Sequence, residues 1–450
     1  MKLLLSILLI TTFSLAATEK PNIIVIMADD LGYHDLGFQG SKNIKTPVLD
    51  KLASTGKVFT DAHTTASVCS PSRAGFITGR YQQRFGHEAN CPRGKDGMDL
   101  SEYTMGQAFQ SLGYETFLVG KWHLGSTEEQ YPTKRGFDEF WGLREGSRSY
   151  WYDTKKSDKP GSPHAIEHNG QQVKFEGYLT DRMTDQAMRM INTTKKPFFM
   201  FLSYTAPHGP FHAKPDDIKN AQNVTYWAMI QNMDENIGRI VDLLDQKKIR
   251  ENTLIWFLSD NGGTASIASN KPLNGKKGIK LEGGQRIPFI MNMPGKVSPG
   301  KFTGLTSAMD IFATSFSMAG GDKTPKPLDG VDLTPFLNGE KSGSPHEKLF
   351  WRKQEGSAVR IGDWKLIKTS GLPEMLYNLK EDIGESKNLA GKYPVKVQGM
   401  LKELTAWEQD KIDPLWYEAK IYDKKRKEFY EYYMKNGPQD TVGGAKKKKK

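Results

Sequence analysis

Four short apolar runs along this 450-residue chain stop abruptly at reactive side chains. Asn22–Met27 leads into Ala28-Asp29-Asp30-Leu31-Gly32, and Tyr114–Val119 into Gly120-Lys121-Trp122-His123. Pro197–Tyr204 gives way to Thr205-Ala206-Pro207-His208-Gly209, and Thr253–Ser259 to Asp260-Asn261-Gly262-Gly263. Runs so continuously apolar predict strands buried on both faces, as in a parallel sheet. Between them, Pro47–Ser54 and Thr180–Ile191 carry Leu, Met and Ala at helical spacing. Alternating strands and helices predict an α/β fold with a large, mostly parallel central sheet flanked by helices. Ligands of such sheets bind outside the carboxyl ends of the strands, where all four runs deliver polar groups.

The pattern changes after Asn338-Gly339-Glu340-Lys341. Lys348–Trp351, Ser357–Ile361, Trp364–Thr369 and Glu374–Asn378 are short strand-like runs separated by turns. They predict a small antiparallel sheet, with a helix over Val395–Trp407. Ile421–Lys435 is aromatic, charged and helical in pattern, and the chain from Gly437 onward reads as loose. The expected organisation is a catalytic unit over 17–340, a C-terminal subdomain over 341–420, and a tail over 421–450.

The first residues change the cellular picture. Lys2, the apolar run Leu3–Leu15 and the small residues around Ala16 form a secretory signal over 1–16, too short for a membrane span. The mature chain is expected to be periplasmic or secreted, without stable membrane insertion. No Cys follows the run to carry a lipid. The formal charge is +11, of which Lys2 and the terminal Lys446–Lys450 supply six. That lysine block reads as a solvated tail, and no basic region interleaves with a stacking platform, so nucleic acid is not the expected partner. A mildly basic body suits a polyanionic substrate.

Asp29, Asp30, Asp260 and Asn261 are hard oxygen donors. Adjacent carboxylates are costly unless a cation neutralises them, and an all-oxygen set suits Ca²⁺ or Mg²⁺. Either pair alone reads equally well as a turn or a helix cap. Lys121, His123 and His208, at matching strand ends, supply cations and proton carriers. In Asn274–Pro288, N-G-K-K-G-I-K-L-E-G-G-Q-R-I-P, Lys277 or its neighbours could reach an anion, although the stretch alone reads first as a solvated basic loop.

One further stretch decides how these pieces combine. Val68–Arg80 reads V-C-S-P-S-R-A-G-F-I-T-G-R, in a chain with two cysteines, Cys69 and Cys91. Neither a zinc site nor a disulfide fits well. The C-x-P-x-R motif with its T-G-R, together with A-D-D-L-G, G-K-W-H-L-G and S-D-N-G-G, resembles the type I sulfatases of the alkaline-phosphatase-like superfamily, from about Pro21 to about Ala390.

That resemblance implies that a maturation enzyme, reading the unfolded chain, converts Cys69 to formylglycine. It also implies calcium held by Asp29, Asp30, Asp260, Asn261 and the modified Cys69. Arg73 would hold the formylglycine, while Lys121, His123, His208 and Lys277 grip sulfate and move protons. His208 is the first choice to protonate the leaving oxygen, and His123 to help deprotonate the aldehyde hydrate. Asn274 stands where the family often has arginine. Cys91 has no role and reads as an ordinary thiol.

Substrate choice is assigned to loops. Arg144-Glu145-Gly146-Ser147-Arg148-Ser149-Tyr150-Trp151 combines guanidinium groups with rings, a mix suited to a sulfated sugar or equally to an ordinary surface loop. Arg144, Arg148, Tyr150 and His212 are the candidate substrate contacts. The chain looks most like bacterial sulfatases of marine galactans, so the expected partner is a sulfated polysaccharide or oligosaccharide. Carrageenan galactose 4-sulfate leads, with ulvan, fucan and glycosaminoglycan fragments open. Two other readings stay in view: a phosphonate monoester hydrolase or phosphodiesterase on the same fold, and a non-catalytic binder of sulfated glycans.

Overall fold

Strand Asn22–Ala28 lies inside a ten-stranded sheet in the computed structural model, which describes residues 20–92, 97–264 and 267–438. The expected leader and the lysine run lie outside the described residues. Five strands run parallel through the centre, in the order Thr253–Ser259, Asn22–Ala28, Phe198–Ser203, Glu115–Lys121 and Glu139–Leu143. Antiparallel Phe289–Asn292 extends one side, followed by Lys57–Phe59 and Gly300–Phe302. Two short antiparallel strands, Glu167–His168 and Gln171–Gln172, finish the other.

The continuous apolar runs follow from burial on both faces. In Asn22–Ala28, Ile24 and Ile26 pack towards Leu49, Met183 and Ile237 of helices Pro47–Ser54, Leu179–Thr193 and Thr225–Gln246. The alternate residues Ile23, Val25 and Met27 face Phe76, Met105 and Ile311 of helices Cys69–Thr78, Met105–Ser111 and Asp310–Met318. A two-residue period with both phases apolar therefore marks a sheet between two helical layers. The 22-residue helix Thr225–Gln246 is the largest element that the sequence reading did not anticipate.

Register puts the strand ends level. Met27 sits beside both Ser203 and Leu258, and Gly120 also sits beside Ser203. Asp29, Asp260, Lys121 and the turn after Tyr204 therefore emerge on one edge. Lys121 is the last residue of its strand rather than part of the following loop.

A separate four-stranded antiparallel sheet follows in simple meander order: Lys348–Lys353, Gly356–Ile361, Trp364–Thr369 and Met375–Asn378. Val359, Leu366 and Leu376 on one face pack against Val397, Met400 and Leu404 of helix Pro394–Glu408. On the opposite face, Ile367 and Tyr377 pack with Ile279 and Leu281 of the large unit and with Tyr430 and Tyr433 of helix Lys420–Asn436. The final helix, expected as part of a tail, thus packs Tyr430 and Tyr433 into the core on that face of the small sheet.

Candidate active site

Cys69 begins helix Cys69–Thr78, every residue of which is buried. Small residues let that helix approach so closely; a Cβ on Gly75 would lie 2.2 Å from Thr65 Oγ1. The Cys69 thiol faces Asp29 at 3.5 Å and Asp30 at 3.9 Å, and Lys277 Nζ comes within 3.0 Å of its sulfur. The helix N-terminus adds a favourable field for negative charge at this point.

Three permanent cations surround the carboxylates. Lys121 Nζ is 2.6 Å from Asp29 Oδ2, with both side chains fully buried. Arg73 holds Asp260 Oδ2 through Nε at 3.0 Å and a terminal nitrogen at 2.9 Å. Its other arm donates to Ser203 Oγ at 2.6 Å, and that hydroxyl donates to the Lys121 carbonyl at 2.7 Å. Lys277 lies 2.7 Å from Asp30 Oδ1. Burial opposes ionisation of Asp29, but Lys121, His208, Arg73 and Lys277 together hold it well below the usual carboxylate range. Asp260 behaves differently: burial and repulsion from Asp29 push it up to about 6, despite Arg73 and Lys121.

Both histidines are brought to the same place. His208 Nε2 is 3.5 Å from Asp30 Oδ2. Its Nδ1 is 2.5 Å from the Gly209 carbonyl; a carbonyl only accepts, so Nδ1 carries a hydrogen. Burial lowers the His208 pKa, while Asp29 and Asp30 pull the other way. His123 is driven well below its ordinary value by burial and by Lys121 and Arg73, so its ring is neutral near pH 7. Both Asp30 (φ 64°) and His123 (φ 59°) hold left-handed backbone, which is strained for residues with a side chain.

The donor chemistry fits a hard cation. Asp29, Asp30, Cys69 and His208 each bring a ligand-capable atom within 4.8 Å of one another. Asn261 donates to Asp30 Oδ1 at 2.7 Å, whereas its own Oδ1 is buried without a hydrogen-bond partner. An orphaned amide oxygen beside two carboxylates is the environment expected of an oxygen-ligand site. Among the described residues a second cluster, Asp61, His63 and Glu282, also has ligand-like spacing. Arg286, Arg360 and Lys365 already crowd Glu282 there, so charge is balanced without a metal.

Comparison with known proteins places this geometry. A protein-family model described as Sulfatase matches residues 21–321. The chain belongs to the sulfatase family. The uncharacterized sulfatase YdeN of Escherichia coli (strain K12) is 34% identical over 397 residues, covering 74% of this chain and 68% of that protein. Arylsulfatase G of Rattus norvegicus is 31% identical over 454 aligned residues, covering 86% and 85%. Among solved structures, Ps i-CgsB in complex with k-i-k-neocarrahexaose superposes with a TM-score of 0.85 at 33% identity, covering 95% of this chain and all of that one. The protein is a sulfuric ester hydrolase with the alkaline-phosphatase-like α/β fold.

The four residues expected to contact substrate are placed unevenly in this sulfatase. Arg148 is buried and bidentate on Asp158 at 2.9 and 2.7 Å, with its guanidinium 4.9 Å above the Phe175 ring. Tyr150 is buried too, its hydroxyl on the backbone of the His208 turn. Neither presents its polar group to solvent, because each has a stronger internal partner. Arg144 is half-buried, pairs with Glu167 at 3.0 Å and donates to the Ser126 carbonyl. His212 is half-buried beside the Tyr150 ring, with Nδ1 unpartnered. Asn274 donates to the Gly384 carbonyl and so ties the Lys277 loop to the turn that follows the C-terminal sheet.

Several residues at the sulfatase site were not singled out from sequence. Ser203 bridges Arg73 and Lys121, as above. Ser70 donates to the His123 carbonyl at 2.6 Å and lies 2.6 Å from His87 Nε2. Both cysteines are free, and Cys91 lies beside Ser70 Oγ at 3.2 Å. Nothing local marks Ser203 or Ser70; only the strand-end rule could have drawn attention to Ser203. Among the described residues no helix is long and apolar enough to cross a membrane.

Proposed function

We propose that this sulfatase removes sulfate esters from a sulfated polysaccharide or its oligosaccharides, with carrageenan galactose 4-sulfate as the lead substrate. The observation that carries the chemistry is the Cys69 sulfur, set between Lys277 at 3.0 Å and the Asp29–Asp30 pair. That thiol stands in for the oxygens of a formylglycine hydrate, which when present supplies an oxygen nucleophile with a second hydroxyl. Asp29, Asp30, Asp260 and Asn261 would hold calcium, which supplies Lewis-acid polarisation of a sulfate oxygen. The maturation enzyme is a transient partner, and the leader supports periplasmic or secreted action.

The remaining steps belong to the chain's own residues. Asp29, Asp30 and Asp260 face three cations, Arg73, Lys121 and Lys277, so a divalent ion leaves the site net positive for an anionic ester. Lys121 and Lys277 stabilise charge gathering on the sulfate oxygens as the S–O bond breaks. A sugar alkoxide is a poor leaving group, and His208 in its imidazolium form, which carries a second proton on Nε2 beside Asp30, gives it that proton. Neutral His123 accepts the proton that must be removed to release sulfate. Arg73, fully buried on Asp260, keeps the anionic wall in place.

Substrate class rests on the likeness to Ps i-CgsB, solved with k-i-k-neocarrahexaose. The test is sulfate release from carrageenan oligosaccharides by protein whose Cys69 conversion has been verified by mass. Release located at galactose 4-sulfate supports the assignment. Release only from ulvan, fucan or glycosaminoglycan fragments replaces the substrate, and turnover confined to phosphonate esters overturns the reaction.

A further inference from the structure

The segment 144–151, expected to read sugar, packs behind both histidines. His123 N–H donates to the Arg144 carbonyl at 2.9 Å. Gly146 lies against the His123 ring, where an added Cβ would stand 2.6 Å from Cε1 and 2.7 Å from Nε2. Tyr150 Oη is 2.6 Å from the Thr205 carbonyl and 2.9 Å from that of His208, its one proton shared between them. The Tyr150 ring stacks on Tyr178 with centroids 5.4 Å apart and planes at 18°. Tyr178 in turn donates to the His212 carbonyl at 2.8 Å.

The turn from Thr205 to His212 has no regular secondary structure, yet three of its carbonyls are held by two buried tyrosines. Burial raises both phenols, so they stay protonated donors at any working pH. Arg148 anchors the segment from behind through Asp158, and Leu179 N–H donates to the Tyr150 carbonyl at 2.9 Å. A hydroxyl held this firmly fixes the turn's backbone, and with it the direction in which Nε2 of His208 points.

We propose that Tyr150 is a positioning residue for His208, with Tyr178 backing it. The inference rests on the reading of His208 as the group that protonates the leaving oxygen. As the S–O bond breaks, the bonding pair goes to the sugar oxygen, and the proton that the imidazolium form of His208 carries on Nε2 follows it, leaving the ring neutral with its hydrogen on Nδ1. A loosened turn leaves binding intact and delays that transfer. The consequence therefore depends on the leaving group, which a purely structural role would not produce.

The experiment compares Tyr150→Phe with the wild-type sulfatase on a sulfated carrageenan oligosaccharide and on 4-nitrophenyl sulfate, whose phenolate leaves without a proton. The expected result is a kcat on the oligosaccharide lower by about tenfold or more, within the range for lost general-acid catalysis, at unchanged KM. Turnover of the aryl ester should stay within about twofold, well below that general-acid effect. Tyr178→Phe should show the same asymmetry, and it carries the test if Tyr150→Phe fails to fold. Equal loss on both substrates, or loss on neither, overturns the proposal. His208→Ala run in parallel separates the claims. Leaving-group dependence in His208→Ala but not in Tyr150→Phe removes the clamp alone, whereas its absence from His208→Ala removes the reading beneath it.

Discussion

Lys277 meets the Cys69 sulfur at 3.0 Å, and segments that follow the C-terminal sheet help to hold its loop there. Beside Lys277 N–H to the Gly263 carbonyl and Gly278 N–H to that of Ser67, the loop makes three bonds to the C-terminal part: Asn274 to the Gly384 carbonyl, Lys280 N–H to the Tyr430 hydroxyl at 2.7 Å, and Glu282 N–H to Glu385 at 2.5 Å. Lys277→Ala should lower kcat by about 10²–10³-fold, the range for loss of one charge-stabilising donor. Circular dichroism should stay native. A kcat within twofold of wild type, far outside that range, would remove Lys277 from the machinery.

Lys365 is fully buried between Glu282 at 2.8 Å and Glu385 at 3.2 Å. A buried pair is weak evidence of stabilisation, but removing one partner strands the others in low dielectric. Lys365→Met should destabilise the fold by about 3–5 kcal/mol in urea unfolding. The double variant Lys365→Met with Glu282→Gln should recover part of that loss. Simple additivity would show that the network is not coupled.

His346 Nε2 lies 2.7 Å from buried Asp310, which also caps the amides of Ser307 and Val331. Burial lowers the His346 pKa, but the Asp310 carboxylate prevails and the folded value is raised. The sign follows: this pair stabilises fully below the unfolded histidine value of about 6.5 and fades as pH rises through the folded one. The melting-temperature difference between wild type and His346→Gln should therefore be largest near pH 6 and shrink by about pH 9. A difference that grows with pH contradicts the pairing.

The oxygen cluster predicts a metal-dependent melting temperature. Chelation should lower it and calcium should restore it, by about 2.7 kcal/mol of stability at a hundredfold excess over Kd. Asp30→Asn should blunt the response. An unchanged melting curve on chelation would leave the orphaned Asn261 oxygen without its expected ligand.

How much of this was legible in the sequence follows from distance along the chain. Asp29, Asp30, Lys121, His208, Asp260 and Asn261 could be grouped because each ends an apolar run, and parallel register places such ends together. Cys69 was legible through its motif. The burial of Arg148 and Tyr150 was not legible, because a loop has no periodicity to say which side faces inward. Asp158, the partner of Arg148, carries no local mark, and nothing local links Tyr150 to the Thr205 turn. The last helix was legible as a helix but not as core, since Tyr430 and Tyr433 find Lys280 and Glu385 far away in sequence.

The central claim, that converted Cys69 is the nucleophile, is tested most directly by turnover against conversion. Preparations spanning low to complete conversion at Cys69, quantified by peptide mass, would be assayed for sulfate release beside Cys69→Ala. The account predicts a rate proportional to the converted fraction, passing through zero, with no release by Cys69→Ala. Sulfate release that is independent of conversion, or that survives in Cys69→Ala, would contradict it.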